Sequence, residues 1–473
     1  MKSIKMRGIC AAVTGALLFG FGANAMADST TDIVNALVAK GVLTEEEGAL
    51  LNKGREGEAA GQAKAMKKAS RLTVSDAIEN ATLYGNMRAR YEYRDGDGLS
   101  ASSGQQHAER NRARGKFELG VETKAGKWYS DIAIATGTNT SGISSARSDN
   151  FTFGGGDTNY NAKEGIYLKR AMVGWNATDW LTLEAGRMAN PLYTTAMVWD
   201  ADYNMSGFQE KLKFNVGSTE VFGVLGQWAN GAWDSKNYAG TNGNNTTSAS
   251  ANYLFAFQGG LKTPVADNAS AKIAVTQYVY GGKRGTPWAP GLVGTTFAAT
   301  SNAVNDLDIT EVPAEFNYMT SSNIGIRVYG DYVYNSSASD RATNAGASYA
   351  AYGNEDTAWI LGLKVASAKD LKSFEGNKMK AGDWSANLWY QEIGAFAIDP
   401  NTNDSDFFDS RLNMKGVVFK GQYNLEDNVM LNVAYGHGER LNGNLATPFT
   451  AGNDLSLNLD KMNLLQLDVT YKF

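Results

Sequence analysis

The sequence holds one cysteine, two histidines and seven prolines among 473 residues. A single thiol builds no disulfide framework, and so few imidazoles and thiols exclude a zinc module. No metal and no cofactor is expected. Away from the N-terminus, no apolar run reaches the roughly 18 residues that a membrane helix needs. The net charge of -5 lacks the basic excess of nucleic-acid binders, so no nucleic-acid partner is expected. With 43% hydrophobic and only 20% charged residues, the chain carries too much core-forming material to be disordered.

What is present begins with an export signal. Lys2, Lys5 and Arg7 precede an apolar stretch, Ile9 to Gly22, and small residues at Ala23, Ala25 and Ala27 fit cleavage after Ala25 or Ala27. Residues 1–27 are therefore read as a signal peptide. Cys10 leaves with it, and the mature chain has no cysteine to misform disulfides in an oxidising periplasm.

Residues 28–80 read as a helical periplasmic leader and linker. Thr31-Asp32 can cap a short helix that carries Ile33, Val34, Leu37 and Val38 on one face. Thr44 to Glu47 forms a capping box for a second. The Ala- and Lys-rich stretch 57–70 has no sustained heptad and reads as a solvated helix or linker.

From residue 81 to 473 the period changes to two. Leu83, Met87, Ala89, Tyr91 and Tyr93 alternate with Arg88, Arg90, Glu92 and Arg94; Leu465, Leu467, Val469, Tyr471 and Phe473 alternate with Gln466, Asp468 and Thr470. Sixteen such segments are expected, among them 81–94, 109–124, 180–188 and 459–473, most of them longer than the strands of soluble sheets. Short connections alternate with long ones. The fold class predicted is an all-β transmembrane antiparallel barrel of about sixteen strands. Ala368 to Gly382, long and Lys-rich where a short turn is due, is the exception.

Closure satisfies every backbone donor in a membrane. The apolar face then meets outer-membrane lipid and the polar face meets water. Arg88, Arg90, Arg110, Arg112, Arg114, Lys116 and Glu118 share one parity on the first two strands. Each cation would cost about 2 to 4 kcal/mol facing lipid at mid-depth, so these residues are expected to line a pore. Trp128, Tyr129, Trp175, Trp180 and Trp384 cluster at short turns and predict an aromatic girdle at the periplasmic rim. The terminal Phe473, preceded by alternating apolar residues, resembles the signal read by the barrel assembly machinery, a partner expected on that ground.

Three stretches carry a family resemblance. Arg187 to Leu192 leads through Thr195 to Val198-Trp199-Asp200-Ala201-Asp202; Asn111 to Arg114 lies upstream; Trp384 to Tyr390 and Ala397 to Phe408 lie downstream. Together they resemble the putative porin family of Gram-negative outer membranes, as does the helical leader at Lys40 to Glu46. The resemblance implies a channel for passive diffusion of small hydrophilic solutes and ions, oligomeric and expected here as a homotrimer. It supplies no substrate. The loop from Ala189 to Ser206 follows the fifth strand, like the inward-folded third external loop of general porins. Its Trp199, Asp200, Asp202 and Tyr203 are the expected constriction residues, facing the basic wall across the pore. Arg187 has lipid-facing parity and is expected to support the base of this loop.

Two other classes compete with this reading. An outer-membrane barrel enzyme needs nucleophile, base and orienter together. The only imidazoles, His107 in a first long loop and His437 in the fifteenth strand, sit in no such motif, so no enzyme is expected. A soluble exported β-protein or adhesin would show an apolar core and no lipid band.

Overall fold

The structure, a computed structural model, describes residues 78–100, 104–137, 139–140, 143–144, 146–154, 163–230, 236–239, 246–249, 253–281, 307–447, 455 and 457–473. The expected signal peptide and all but the end of the helical leader lie outside the described residues. No helix among the described residues is long and apolar enough to cross a membrane.

Sixteen long strands form one closed antiparallel sheet. They are β1 (Asn80–Ser100), β2 (Gly104–Ala125), β3 (Trp128–Thr136), β4 (Ile166–Asn176), β5 (Leu181–Ala189), β6 (Asn204–Val216), β7 (Thr219–Ala229) and β8 (Tyr253–Ala266), followed by β9 (Ala269–Gly281), β10 (Asp308–Met319), β11 (Ile324–Asn335), β12 (Thr357–Ser367), β13 (Trp384–Ile393), β14 (Met414–Glu426), β15 (Val429–Arg440) and β16 (Asn458–Lys472). Each pairs with its sequence neighbours, and a two-residue strand, Phe151–Thr152, joins the edge of β2. β16 closes on β1 from Asn86 opposite Lys472 to Leu99 opposite Asn458. Phe473 finishes the seam: its N–H donates to Gly85 O at 3.1 Å and its carbonyl accepts from Gly85 N at 3.0 Å.

The two faces follow the alternation in the sequence. Leu83, Met87 and Tyr91 on β1 and Leu467, Val469 and Tyr471 on β16 are exposed to the outside, while Arg90, Glu92, Arg94 and Gln466 between them are buried within. The same parity runs through Ile273 and Val275, Leu361 and Leu363, and Val417 and Phe419. This exposed apolar belt is unstable in water and stable in lipid. At the rim of short turns, exposed Trp128 stacks on Trp175 at 5.6 Å, and Trp180 and Trp384 are also exposed. Tyr129 is a correction to the expected girdle: it points inward, and its hydroxyl donates to Glu184.

The first hairpin differs from expectation. β1 and β2 pair without a break from Asn80 opposite Lys124 to Ser100 opposite Gly104. The first external connection is therefore three residues, not a long loop, and His107 lies within β2, opposite Asp97. The polar alternation beyond residue 94 hid the strand, because no apolar face marks a hairpin that rises past the membrane.

The irregular turn between β12 and β13 is real. It holds a short helix, α1 (Leu371–Glu375), capped by Asp370, whose side chain accepts from Ser373 N at 2.7 Å. Phe374 is buried over Gly325, where any Cβ would collide with its ring. Glu375 reaches Lys262 on β8 at 2.5 Å, which ties the turn across the barrel mouth.

The interior is not uniformly wet. Towards the external loops, Val224, Trp228, Leu254, Tyr278, Ile309 and Val333 face inward and pack on loop side chains including Met197, Trp199, Ile398 and Phe407. The strand alternation foretold a polar inner face, and this apolar packing inside the barrel corrects it.

Candidate channel constriction

The third external loop, L3 (190–203), leaves β5 through an Asx turn in which Asn190 Oδ1 accepts from Leu192 N at 3.0 Å. Its apolar residues then drive it into the barrel, since Leu192, Met197, Val198 and Trp199 have no lipid to meet and pack on the inner wall. Polar ties fix its course. Tyr193 N donates to Gln258 Oε1 on β8 at 2.9 Å, Thr194 Oγ1 to Glu311 on β10 at 2.5 Å, and Thr195 Oγ1 to Asp331 on β11 at 2.6 Å. Trp199 Nε1 donates to the Tyr278 hydroxyl at 3.0 Å, and its ring meets Tyr203 edge-on at 5.3 Å. Arg187 braces the loop base, donating to Lys169 O at 2.9 Å and Ser206 Oγ at 3.1 Å.

A second loop, L7 (394–413), enters beside it. Asp200 N donates to Thr402 O at 2.6 Å, Thr402 Oγ1 to Val198 O at 2.9 Å, and Ser405 N to Asp200 Oδ2 at 2.9 Å. Arg147, from the loop after β3, donates to Pro400 O at 2.6 Å. L7 turns through Phe408, Asp409 and Ser410, all with φ near +60°, a conformation that non-glycine residues adopt only under constraint. Buried Arg411 supplies it, bonding Asp409 at 3.1 Å and the Thr447 carbonyl at 2.8 Å.

The basic wall of β1 and β2 meets these loops through ion pairs. Lys116 Nζ lies 2.8 Å from both Asp202 of L3 and Asp149. Arg90 bonds Asp468 at 2.7 Å and Asp406 of L7 at 2.9 Å. Arg88 donates to Asn150 and stands 3.9 Å from Asp468. Arg112 and Arg114 converge on buried Glu92, at 2.5 and 3.6 Å. Glu118 accepts from Lys169 at 3.1 Å and Arg170 at 2.8 Å. Arg110 is exposed, opposite Arg94 and closer to the external tip of the hairpin.

The four loop acids differ in charge. Burial, reinforced by neighbouring Asp404 and Asp202, pushes the Asp200 carboxyl up to about 8. Burial also raises Asp404, against the pull of Lys420. Burial would raise Asp202 as well, but Lys116 and Lys169 outweigh it and hold the group at about 2. Arg90 and Arg94 likewise overcome burial and keep Asp406 well below the usual carboxylate range. At neutral pH the paired acids are ionised and Asp200 is largely protonated. Beneath the loops lies a cavity of about 390 Å³, lined by Arg88, Arg90, Asp200, Ala201, Asp202 and Asp406 with Lys364 and Lys420 opposite.

The sequence profile of the putative porin family matches residues 100–308 and 295–473. The chain belongs to the putative porin family. It is an outer-membrane β-barrel with a porin-like channel function. No curated protein matches it. Similar solved structures include an anion-selective porin from Comamonas acidovorans (10% identity, 83% of this chain and 99% of that one, TM-score 0.42). The outer membrane channel DcaP of Acinetobacter baumannii is similar at 13% identity, over 84% of this chain and 99% of that one, with a TM-score of 0.41. A loop L8 deletion mutant of the Vibrio cholerae outer membrane protein OmpT is 11% identical over 84% and 100%, with a TM-score of 0.41.

Sequence reasoning placed the candidate constriction in L3 and did not foresee that Asp404, Asp406 and Asp409 of L7 come in beside it. A signal for them exists: residues 399–409 hold four aspartates beside Phe407 and Phe408, an unusual composition for a loop left in external water. Both histidines stay out of the interior. His107 pairs with Asp97 at 2.9 Å on the exposed hairpin, and His437 bonds Asn463 at 2.8 Å.

Proposed function

We propose that this porin passes small hydrophilic solutes and ions passively through a narrow zone built by L3 and L7 together against the basic wall of β1 and β2. The observation that carries the reading is the bond from Lys116 to Asp202, which holds an inward-folded loop to a charged strand. Arg88, Arg90, Arg112, Arg114, Lys116 and Glu118 line the passage, and Arg110 extends the positive field to the outer mouth. Trp199 and Tyr203 stiffen the loop, and Asp200 and Asp202 bring charge to it. Fixed charges of both signs in a narrow passage set selectivity, because reduced hydration and screening strengthen each of them. With Asp200 protonated, the balance at neutral pH favours anions.

The same reading makes the chain a non-enzymatic homotrimer, exported by a signal peptide cleaved after Ala25 or Ala27 and inserted by the barrel assembly machinery through the strand ending at Phe473. The leader at 28–80 stays in the periplasm. Reversal potentials in planar bilayers across a KCl gradient test the function. A wild-type potential on the anion side that moves toward cations in R112A/R114A supports it. A channel indifferent to that change contradicts it.

A further inference from the structure

The far wall of the lumen carries a row of cations without the carboxylates found on the near wall. Strand register sets Arg327 opposite Lys364, Lys364 opposite Asn387, and Asn387 opposite Lys420, one lateral row across β11, β12, β13 and β14. All four have inward parity, because Val328, Leu361, Leu363, Leu388, Val417 and Phe419 are the exposed neighbours. Like charges directly opposite on paired strands destabilise a sheet. On the β1–β2 wall every such repulsion is relieved by a carboxylate. Here only Arg327 has one, Glu315 at 3.6 Å. Among the described residues, no carboxylate lies within 4.0 Å of Lys364 or Lys420.

The remaining contacts leave donors facing the lumen. Lys364 gives one of its three N–H groups to Asn377 Oδ1 at 2.7 Å. Lys420 rests over the rings of Phe407 at 4.5 Å and Trp389 at 5.3 Å, which holds the ammonium in place without cancelling its charge. The Tyr329 hydroxyl donates to Asn387 Oδ1 at 3.1 Å, which fixes the amide and leaves its NH2 as a donor. Asp404, which feels the charge of Lys420, is held toward its neutral form by burial. Lys364, Asn387 and Lys420 line both the 390 Å³ cavity and a second one of about 350 Å³, so the row spans adjoining parts of the lumen.

We propose that Lys364, Asn387 and Lys420 form an oxyanion site on the channel wall, taken by a small solute that carries a carboxylate or a phosphate group. Two ammonium groups and an amide NH2 that line the same cavities offer donors to such a group, and charge-assisted bonds of this kind are the strong ones. The inference rests on the channel reading for its route but not for its binding chemistry, and the test separates the two.

Inorganic phosphate and butyrate serve as probes on the whole purified protein. Current through planar bilayers in KCl measures block, and tryptophan fluorescence in detergent, where Trp389 sits beside Lys420, measures binding without conduction. In the wild type at least one probe is expected to reduce the current at millimolar concentration and to change the fluorescence. K364Q/K420Q is expected to raise the half-effective concentration at least fivefold in both readouts, while K364R/K420R, which keeps the charge and reports that the wall tolerates substitution, keeps both. Stronger action by phosphate assigns the site to phosphoryl solutes; stronger action by butyrate assigns it to carboxylates. A conducting channel that both probes affect equally in wild type and K364Q/K420Q, or that neither affects, overturns the site and leaves the channel reading standing. A chain that binds through the lysines but never conducts supports the site and overturns the channel.

Discussion

Lys116 of β2 and Asp202 of L3 meet at 2.8 Å, in a pair that is mostly shielded from solvent. The strand supplies the cation because inward residues of a membrane barrel can be charged. The loop supplies the anion because its apolar neighbours carry it inside. Removing one partner is therefore expected to loosen the loop rather than the barrel. Hydrogen bonds to charged groups contribute about 1.5–3 kcal/mol. Asp202→Asn should speed hydrogen exchange of the L3 amides roughly ten- to hundredfold, since each tenfold corresponds to about 1.4 kcal/mol. Exchange in β1 and β16 should not change. Equal rates in L3 would mean that Trp199 and the seam with L7 hold the loop unaided.

Asp200 makes selectivity depend on pH. Its carboxyl titrates near 8, against an ordinary 3.8, so raising the pH from 6 to 9 adds a negative charge to the lumen. The reversal potential should move toward cations with a midpoint near 8, and Asp200→Asn should abolish the shift. Stability follows the same sign. A group with a raised value in the fold lends stability that is complete below 3.8 and is lost as the pH climbs through about 8. The seam between L3 and L7 is thus expected to resist proteolysis best on the acid side of 8. Asp202 acts oppositely: its contribution is present above 3.8 and is lost as the pH falls through about 2.

Arg112 and Arg114 share Glu92, which is fully buried. Replacing both with Ala removes two positive charges and leaves Glu92 to Arg94 and Arg90, at 3.1 and 3.8 Å. The reversal potential is expected to move toward cations, and melting of the barrel in detergent to occur at a lower temperature. An unmoved potential would contradict the proposed passage along the β1–β2 wall.

The periplasmic turn should depend on one ring. Phe374 is buried over Gly325, with Met319 and Ala366 beside it. Phe374→Ala removes a buried aromatic side chain, for which core losses run to about 3–5 kcal/mol. Protease cleavage within 371–380 is expected to accelerate while the barrel stays intact on a gel.

The strands were legible because two solvents act on every one of them. Leu465 to Phe473 must alternate, since each odd position meets lipid and each even one meets the lumen. The β1–β2 hairpin beyond Arg94 was not legible, because above the membrane both of its faces are polar and the period loses its contrast. Tyr129 was misread because an aromatic beside a short turn suits either face, and only the register of β3, with Trp128 outward, decides between them. Asp200 and Asp202 were legible as a charged loop after the fifth strand. Their different charge states were not, since these arise from Lys116, 86 positions from Asp202 in the chain, and from Asp404, in a different loop. L7 escaped notice for a related reason: its path is set by contacts with L3, which no local pattern records.

The most direct test of the account is whether L3 borders the conducting path. Ala201 is exposed between the buried Asp200 and the half-buried Asp202 and faces the cavity. Cys10 is the sole cysteine of the sequence and lies within the proposed signal peptide, so Ala201→Cys on a Cys10→Ser background gives a single reactive thiol. A negatively charged methanethiosulfonate reagent added to one open channel in a planar bilayer should lower the current in discrete, irreversible steps and move the reversal potential toward cations. Complete labelling by mass spectrometry with the current and potential unchanged would contradict the account.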